Sequence, residues 1–155
     1  MKKILITLTF AIIGITVNAQ QQAVKVNPIG LAFGVANAGY EYAVSKANTL
    51  TFSGIYFDQD NIDGFGVGSE YRFYFNKQAM RGWHAGPTAS FLTLEDNANN
   101  SASVFGVGGE VGHQWILNQH FLVDTFAGLN FYSGGGDVDV DGASFSLGVS
   151  LGYAW

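Results

Sequence analysis

The sequence predicts an all-β chain: a closed, antiparallel, eight-stranded transmembrane β-barrel behind an N-terminal signal peptide. Three observations carry this. First, residues 145–155 alternate strictly. Phe145, Leu147, Val149, Leu151, Tyr153 and Trp155 are bulky, and the residues between them are Ser, Gly or Ala. A period of two is a strand with two unlike faces. Second, only 12% of residues are charged, while 15% are aromatic and 21 are Gly. A soluble domain carries about 25% charge. Third, no uninterrupted apolar run of helix-spanning length follows residue 19. If the rest of the chain crosses a membrane, it does so as a closed barrel.

The N-terminus reads as a secretion signal. Lys2 and Lys3 precede an uncharged apolar stretch from Ile4 to Val17, and Val17-Asn18-Ala19 supplies compact residues for cleavage before Gln20. The stretch is short for a helix crossing about 30 Å. The expected domains are a signal peptide over 1–19 and a barrel over 20–155. The chain has no Cys, so a lipoprotein, disulfides and thiolate metal sites are not expected.

Eight strands follow in order. Strand one is read over Ala23–Phe33, strand two over Ala38–Val44, strand three over Thr49–Asp58 and strand four over Phe65–Phe75. Strand five is read over Gly82–Leu94, strand six over Ser103–Leu117, strand seven over His120–Ser133 and strand eight over Ala143–Trp155. No segment after residue 19 keeps a 3.6-residue apolar stripe, so no helix is expected there. The connections alternate in chemistry. Residues 45–48, 76–81 and 118–119 are short or carry bases, with Lys46, Lys77 and Arg81. Residues 59–64, 95–102 and 134–142 are acidic and rich in Asn, Asp and Gly. Short periplasmic turns and longer outer loops are the expected asymmetry. The first hairpin, near Gly34–Asn37, is an unusually short outer loop.

Strands four and six show what the two faces are for. Phe65, Val67, Tyr71, Phe73 and Phe75 alternate with Gly66, Gly68, Glu70, Arg72 and Tyr74. Phe105, Val107, Val111 and Trp115 alternate with Gly106, Gly108, Glu110, Gly112 and Gln114. Charges share the face of the small residues, which fits a polar interior wrapped in lipid. A soluble sandwich with these aromatics outside would precipitate. Gly39-Tyr40-Glu41, Gly68-Ser69-Glu70 and Gly108-Gly109-Glu110 recur on strands two, four and six. The Gly two residues before each Glu is expected to make room on the axis. An eight-stranded interior is just wide enough for side chains, and its carboxylates need partners. The expected interior network is Lys25, Glu41, Glu70, Arg72, His84, Glu110 and Asp124. Arg72 is expected at its centre, because guanidinium offers five donors and is always charged. Lys25 is expected to reach one acid.

Leu151, Tyr153 and Trp155 resemble the C-terminal signal of Gram-negative outer-membrane barrels. Size, strand count and polar interior resemble the OmpA transmembrane domain and OmpX. Val24-Lys25-Val26-Asn27 followed by Tyr40-Glu41-Tyr42-Ala43 is similar to a family of small outer-membrane barrels of unknown function. The resemblance implies an integral outer-membrane protein with no established activity. It implies lipid as partner, and the outer-membrane insertion machinery acting through the last strand. No peptidoglycan-binding domain is expected after the barrel.

The expected function is therefore a non-enzymatic membrane protein with a plugged polar interior and a structural or surface-interaction role. A lipid-modifying enzyme and a small-solute pore are the alternatives. A monomer is expected, with no cofactor and no nucleic-acid partner, given the net charge of −5; the surface partner is left open. Asp137-Val138-Asp139-Val140-Asp141-Gly142 resembles the start of a calcium loop, but the twelfth position is Gly148 rather than Glu. Weak Ca²⁺ binding there and a solvated hairpin tip stay open. Gly106-Val107-Gly108 is no dinucleotide loop, since Val111 stands at the last glycine position. His113 is expected at the interface beside Trp115, without the Ser and acid of a hydrolase. His84 lacks an obvious second metal ligand.

Overall fold

The computed structural model describes residues 21–59, 62–96, 100–136 and 140–155. The expected signal peptide and the Asp137–Asp139 part of the calcium-like segment lie outside the described residues. The elements are β1 (Gln22–Val26), α1 (Pro28–Ala32), β2 (Val35–Ala43), β3 (Asn48–Gln59) and β4 (Ile62–Tyr74), then β5 (Gly82–Asp96), β6 (Ser101–Leu117), β7 (Phe121–Gly136) and β8 (Val140–Ala154). The strands pair in chain order and form a closed barrel. Every ladder is antiparallel, and β1 returns to β8 through Ala23–Val26 against Leu151–Ala154. Closure keeps every strand from presenting a full open edge.

The bulky face points outward. Phe65, Phe145 and Leu147 are 65%, 69% and 76% exposed, whereas Glu41, His84 and Asp124 are fully buried inside. Such an outer wall is costly in water and matched to hydrocarbon. At one rim lie Lys46, Lys77 and Arg81, between the short-turn ends of the strands; at the other lie Asp58, Asp63, Glu95 and Asp141. These are called the basic and acidic ends below.

Three expectations are corrected. Residues 28–32 form a helix where none was expected. Pro28 has a fixed φ and no N–H, so it breaks the strand and opens a helix. The Asn27 side chain caps the helix by accepting from Gly30 N at 2.9 Å. Five residues are too few to leave a 3.6-residue stripe. Strand β1 therefore stops at Val26, not Phe33, and β2 begins at Val35. Second, the acidic segments are mostly strand. Asp58 pairs with Asp63 and Asp63 with Glu95, so in these three segments only residues 60–61, 97–100 and 137–139 lie between the strands. Asp and Gly are turn formers in isolation, but the long hairpins carry them into the ladder. Third, the first outer connection is not short: residues 27–34 hold α1 and form the longest connection between paired strands, while the other acidic-end connections are shorter than residues 75–81 at the basic end.

Turn chemistry explains two of the connections. Asn118 and Gln119 both have positive φ (49° and 70°), and His120 N bonds Leu117 O at 3.1 Å. Two positive φ values in succession match the twist of a hairpin, and Asn tolerates them. In residues 75–81, Lys77 and Met80 have positive φ (58° and 65°), which folds the segment back under the barrel. On β5, the ladder skips Gly86 and Pro87 opposite Arg72 and Tyr71. Pro cannot donate there, and a Cβ on Gly86 would fall on the Tyr71 carbonyl.

Candidate functional site: the barrel interior

The site is built by parity. On each strand alternate side chains point in, so residues on six different strands meet on the axis near the basic end. Lys25 comes from β1, Glu41 from β2, Glu70 and Arg72 from β4, His84 from β5, Glu110 from β6 and Asp124 from β7. Strand β8 contributes only small residues here. A Cβ on Gly152 would meet the Val24 carbonyl and stand 3.0 Å from Lys25 Cγ. A Cβ on Gly112 of β6 would stand 2.6 Å from His84 Nε2. These glycines leave the space that the long side chains fill. The glycines expected to make room for a Glu make it for other groups: a Cβ on Gly108 would strike the Leu129 carbonyl and Asn130, and one on Gly68 would stand 2.8 Å from Ser53 Oγ. Gly39 has room for a Cβ at ordinary contact distances.

Arg72 has the most partners. Its Nε donates to Glu70 Oε2 at 2.7 Å, and Nη2 lies 2.7 Å from the same oxygen. Nη1 donates to Asp124 Oδ2 at 2.6 Å and to Gln114 Oε1 at 3.2 Å. Nη2 also donates to Glu110 Oε1 at 3.2 Å, and Glu41 Oε2 lies 3.9 Å from Nη1. Lys25 Nζ lies 2.9 Å from Glu41 Oε2 and 3.4 Å from Asp124 Oδ2, so it reaches two acids where one was expected. Its place near the strand base still lies between β2 and β7 because the barrel is narrow. His84 Nε2 stands 3.0 Å from Asp124 Oδ1.

Four further residues join the cluster. Tyr74 and Thr49 hydroxyls donate to Glu41 Oε1 at 2.7 and 2.6 Å. Gln114 Nε2 donates to the Met80 carbonyl at 3.0 Å. Met80 itself is fully buried and packs with Ala23, Leu122 and Ala154 into an apolar cluster on the basic side of the ions. Tyr74 and Gln114 were visible as members of the inward face. Met80 gave no signal, because it sits in a turn outside any period.

On the acidic side the ions face a chamber of about 230 Å³. Glu70, Glu110 and Arg72 form its floor, and hydroxyls and amides including Thr51, Ser53, Ser90 and Asn130 form its walls. Outside the barrel, His113 packs edge-on to Trp83 at 5.1 Å and lies 4.2 Å from Trp115. Tyr153 stacks on His120 at 5.0 Å, and Trp155 N bonds Gln22 O at 2.9 Å beside the Ala154–Ala23 pair, with Leu151 opposite Val26 at the other end of the ladder.

A family model described as a protein of unknown function (DUF3575) matches residues 4–135. The chain belongs to this family. Among solved structures, this DUF3575 chain is similar to the N-terminal β-barrel domain of Pseudomonas aeruginosa OprF. The TM-score is 0.55 at 10% identity, over 89% of this chain and 100% of that one. At that identity the likeness concerns the fold: a small eight-stranded barrel of the OmpA type. No curated protein matches the chain.

Proposed function

We propose that this DUF3575 barrel is an integral outer-membrane protein, non-enzymatic, whose interior is plugged and whose role is structural or surface-directed. The observation that carries the reading is the ionic layer around Arg72. Its partners come from β2, β4, β6 and β7, and Lys25 ties β1 to β2 and β7. Groups joined across the lumen at 2.6–3.4 Å support a layer closed to solutes. The buried Met80 cluster lies behind them, toward the basic end. Lipid is the partner of the outer wall, and β8, with Leu151 and Tyr153 on its lipid face and Trp155 directly after it, is the strand the insertion machinery would engage. Residues 1–19 are proposed as the removable signal, so that the mature protein would start at Gln20; its intact mass tests this.

The small-solute pore is the competing reading. Planar-bilayer recording of the refolded protein separates the two. The plugged reading expects no stable conductance steps, and reproducible single-channel steps would sink it. Migration on unboiled and boiled gels should differ, as for a closed barrel that resists detergent until heated.

A further inference from the structure

The interior charges do not balance. Four carboxyl groups (Glu41, Glu70, Glu110 and Asp124) face two fixed cations, Lys25 and Arg72, so two carboxyl groups have no cation of their own. The shortfall falls at the chamber floor. Glu41 and Asp124 each have both Lys25 and Arg72 within 4.0 Å. Glu70 and Glu110 share one guanidinium nitrogen, Nη2 of Arg72, at 2.7 and 3.2 Å. Both Arg72 contacts to Glu70 go to Oε2, and Oε1 has no hydrogen-bond partner; its nearest cationic candidate, His84 Nδ1, is 3.9 Å away. Thr51, 7% exposed and also lining the chamber, has an unpartnered Oγ1. Buried polar atoms without partners are uncommon and point to a missing group.

We propose that the chamber binds a small organic cation: a primary ammonium compound whose body carries hydroxyl or amide groups. An ammonium brings three donors and one positive charge to acceptor-only carboxylate oxygens. It meets the Glu70–Glu110 floor, while its polar body meets Thr51, Ser53, Ser90 and Asn130. An anion is disfavoured by the excess carboxyl groups. A quaternary ammonium has no N–H to donate to the Glu70–Glu110 floor and would want an aromatic cage, whereas the lining carries two aromatic rings, Phe126 and Tyr132, among hydroxyls, amides and aliphatic groups. A multivalent metal fits poorly, because among the described residues no three acid or His side chains converge as a metal requires. The proposal is independent of the plugged reading, since the chamber lies wholly on the acidic side of the ionic layer.

The test uses the refolded full barrel in detergent micelles, titrated with ethanolamine hydrochloride and followed by backbone amide NMR. Glycerol and sodium chloride are titrated in parallel. Saturable shifts of chamber-lining amides are expected with ethanolamine alone, with a dissociation constant on the order of 1 mM, within the ceiling for a ligand of few heavy atoms. Glu110→Gln keeps an acceptor for Arg72 but removes a charge, and should weaken binding at least about tenfold. Ser53→Leu fills the chamber without touching the ions, and should abolish binding while gel migration stays heat-modifiable. The proposal is overturned if ethanolamine gives no saturable shift, if glycerol or sodium chloride gives the same one, or if folded Ser53→Leu binds as wild type does. The wild-type titration decides selection even if a variant fails to fold. Loss of heat-modifiable migration in the wild type would instead count against the barrel itself.

Discussion

Arg72 and Ser90 both point into one lumen from neighbouring strands, yet their surroundings are opposite. Around Arg72, at the basic end, long charged side chains interlock and the apolar Met80 cluster lies behind them. Around Ser90, toward the acidic end, short hydroxyls and amides leave a chamber. The backbone parity is the same in both halves. The difference comes from side-chain reach: Arg, Lys and Glu span a narrow barrel, and Ser, Thr and Gly do not. One half is thus filled by pairs that depend on one another, and the other by groups that act singly. Removing a member should be costly in the first and cheap in the second, and that contrast can be broken by measurement.

The largest effect is expected for Arg72→Met. It leaves Glu70, Glu110 and Asp124 without their guanidinium partner, and stranding buried charges costs about 3–5 kcal/mol. Urea unfolding in lipid vesicles measures it; a loss below about 0.5 kcal/mol would mean that water already solvates the layer. Met80→Ala comes next. It empties a buried site among Ala23, Leu122 and Ala154, and such truncations cost about 2–5 kcal/mol. The same unfolding assay reads it, and an unchanged midpoint would show that the segment 75–81 does not seal the barrel end. Tyr74→Phe should cost less, about 1–2 kcal/mol. It removes one hydrogen bond to a charged acceptor, and Glu41 keeps Thr49 and Lys25. A loss as large as that of Arg72→Met would show that the hydroxyl, not the cation, organises the layer.

How much of this was legible follows from where each residue stands in the pattern. The outward set on β8 and the inward charges on β4 and β6 were legible, because a half-buried strand writes its two faces into alternate residues. The inward places of Lys25, Glu41, Arg72 and Asp124 follow from the same parity. Which acid lies nearest which base did not, since that depends on shear and on side-chain reach, so Lys25 was given one partner and has two. Met80 and α1 were illegible for another reason. A turn residue with positive φ and a five-residue helix begun by Pro28 are local conformations with no period to read. The acidic hairpins misled because Asp58, Asp63 and Glu95 look like loop residues singly, and only pairing across the ladder makes them strand.

The smallest expected effect is that of Ser90→Ala, and it sharpens the comparison most. Ser90 lines the chamber wall on the inward face of β5, between Gly68 and Gly106 of the neighbouring strands. Removing its hydroxyl strands no buried charge. It creates little new cavity where space already exists, and alanine keeps the Cβ against both glycines. A change within about 0.5 kcal/mol is therefore expected, against several for Arg72→Met in the same vesicles. Should Ser90→Ala lose about 2 kcal/mol or more, the hydroxyl would be part of a bound network, with ordered water or ligand joining the chamber walls as firmly as the ions join the layer beneath. The two halves of the lumen would then differ in chemistry but not in mechanical role.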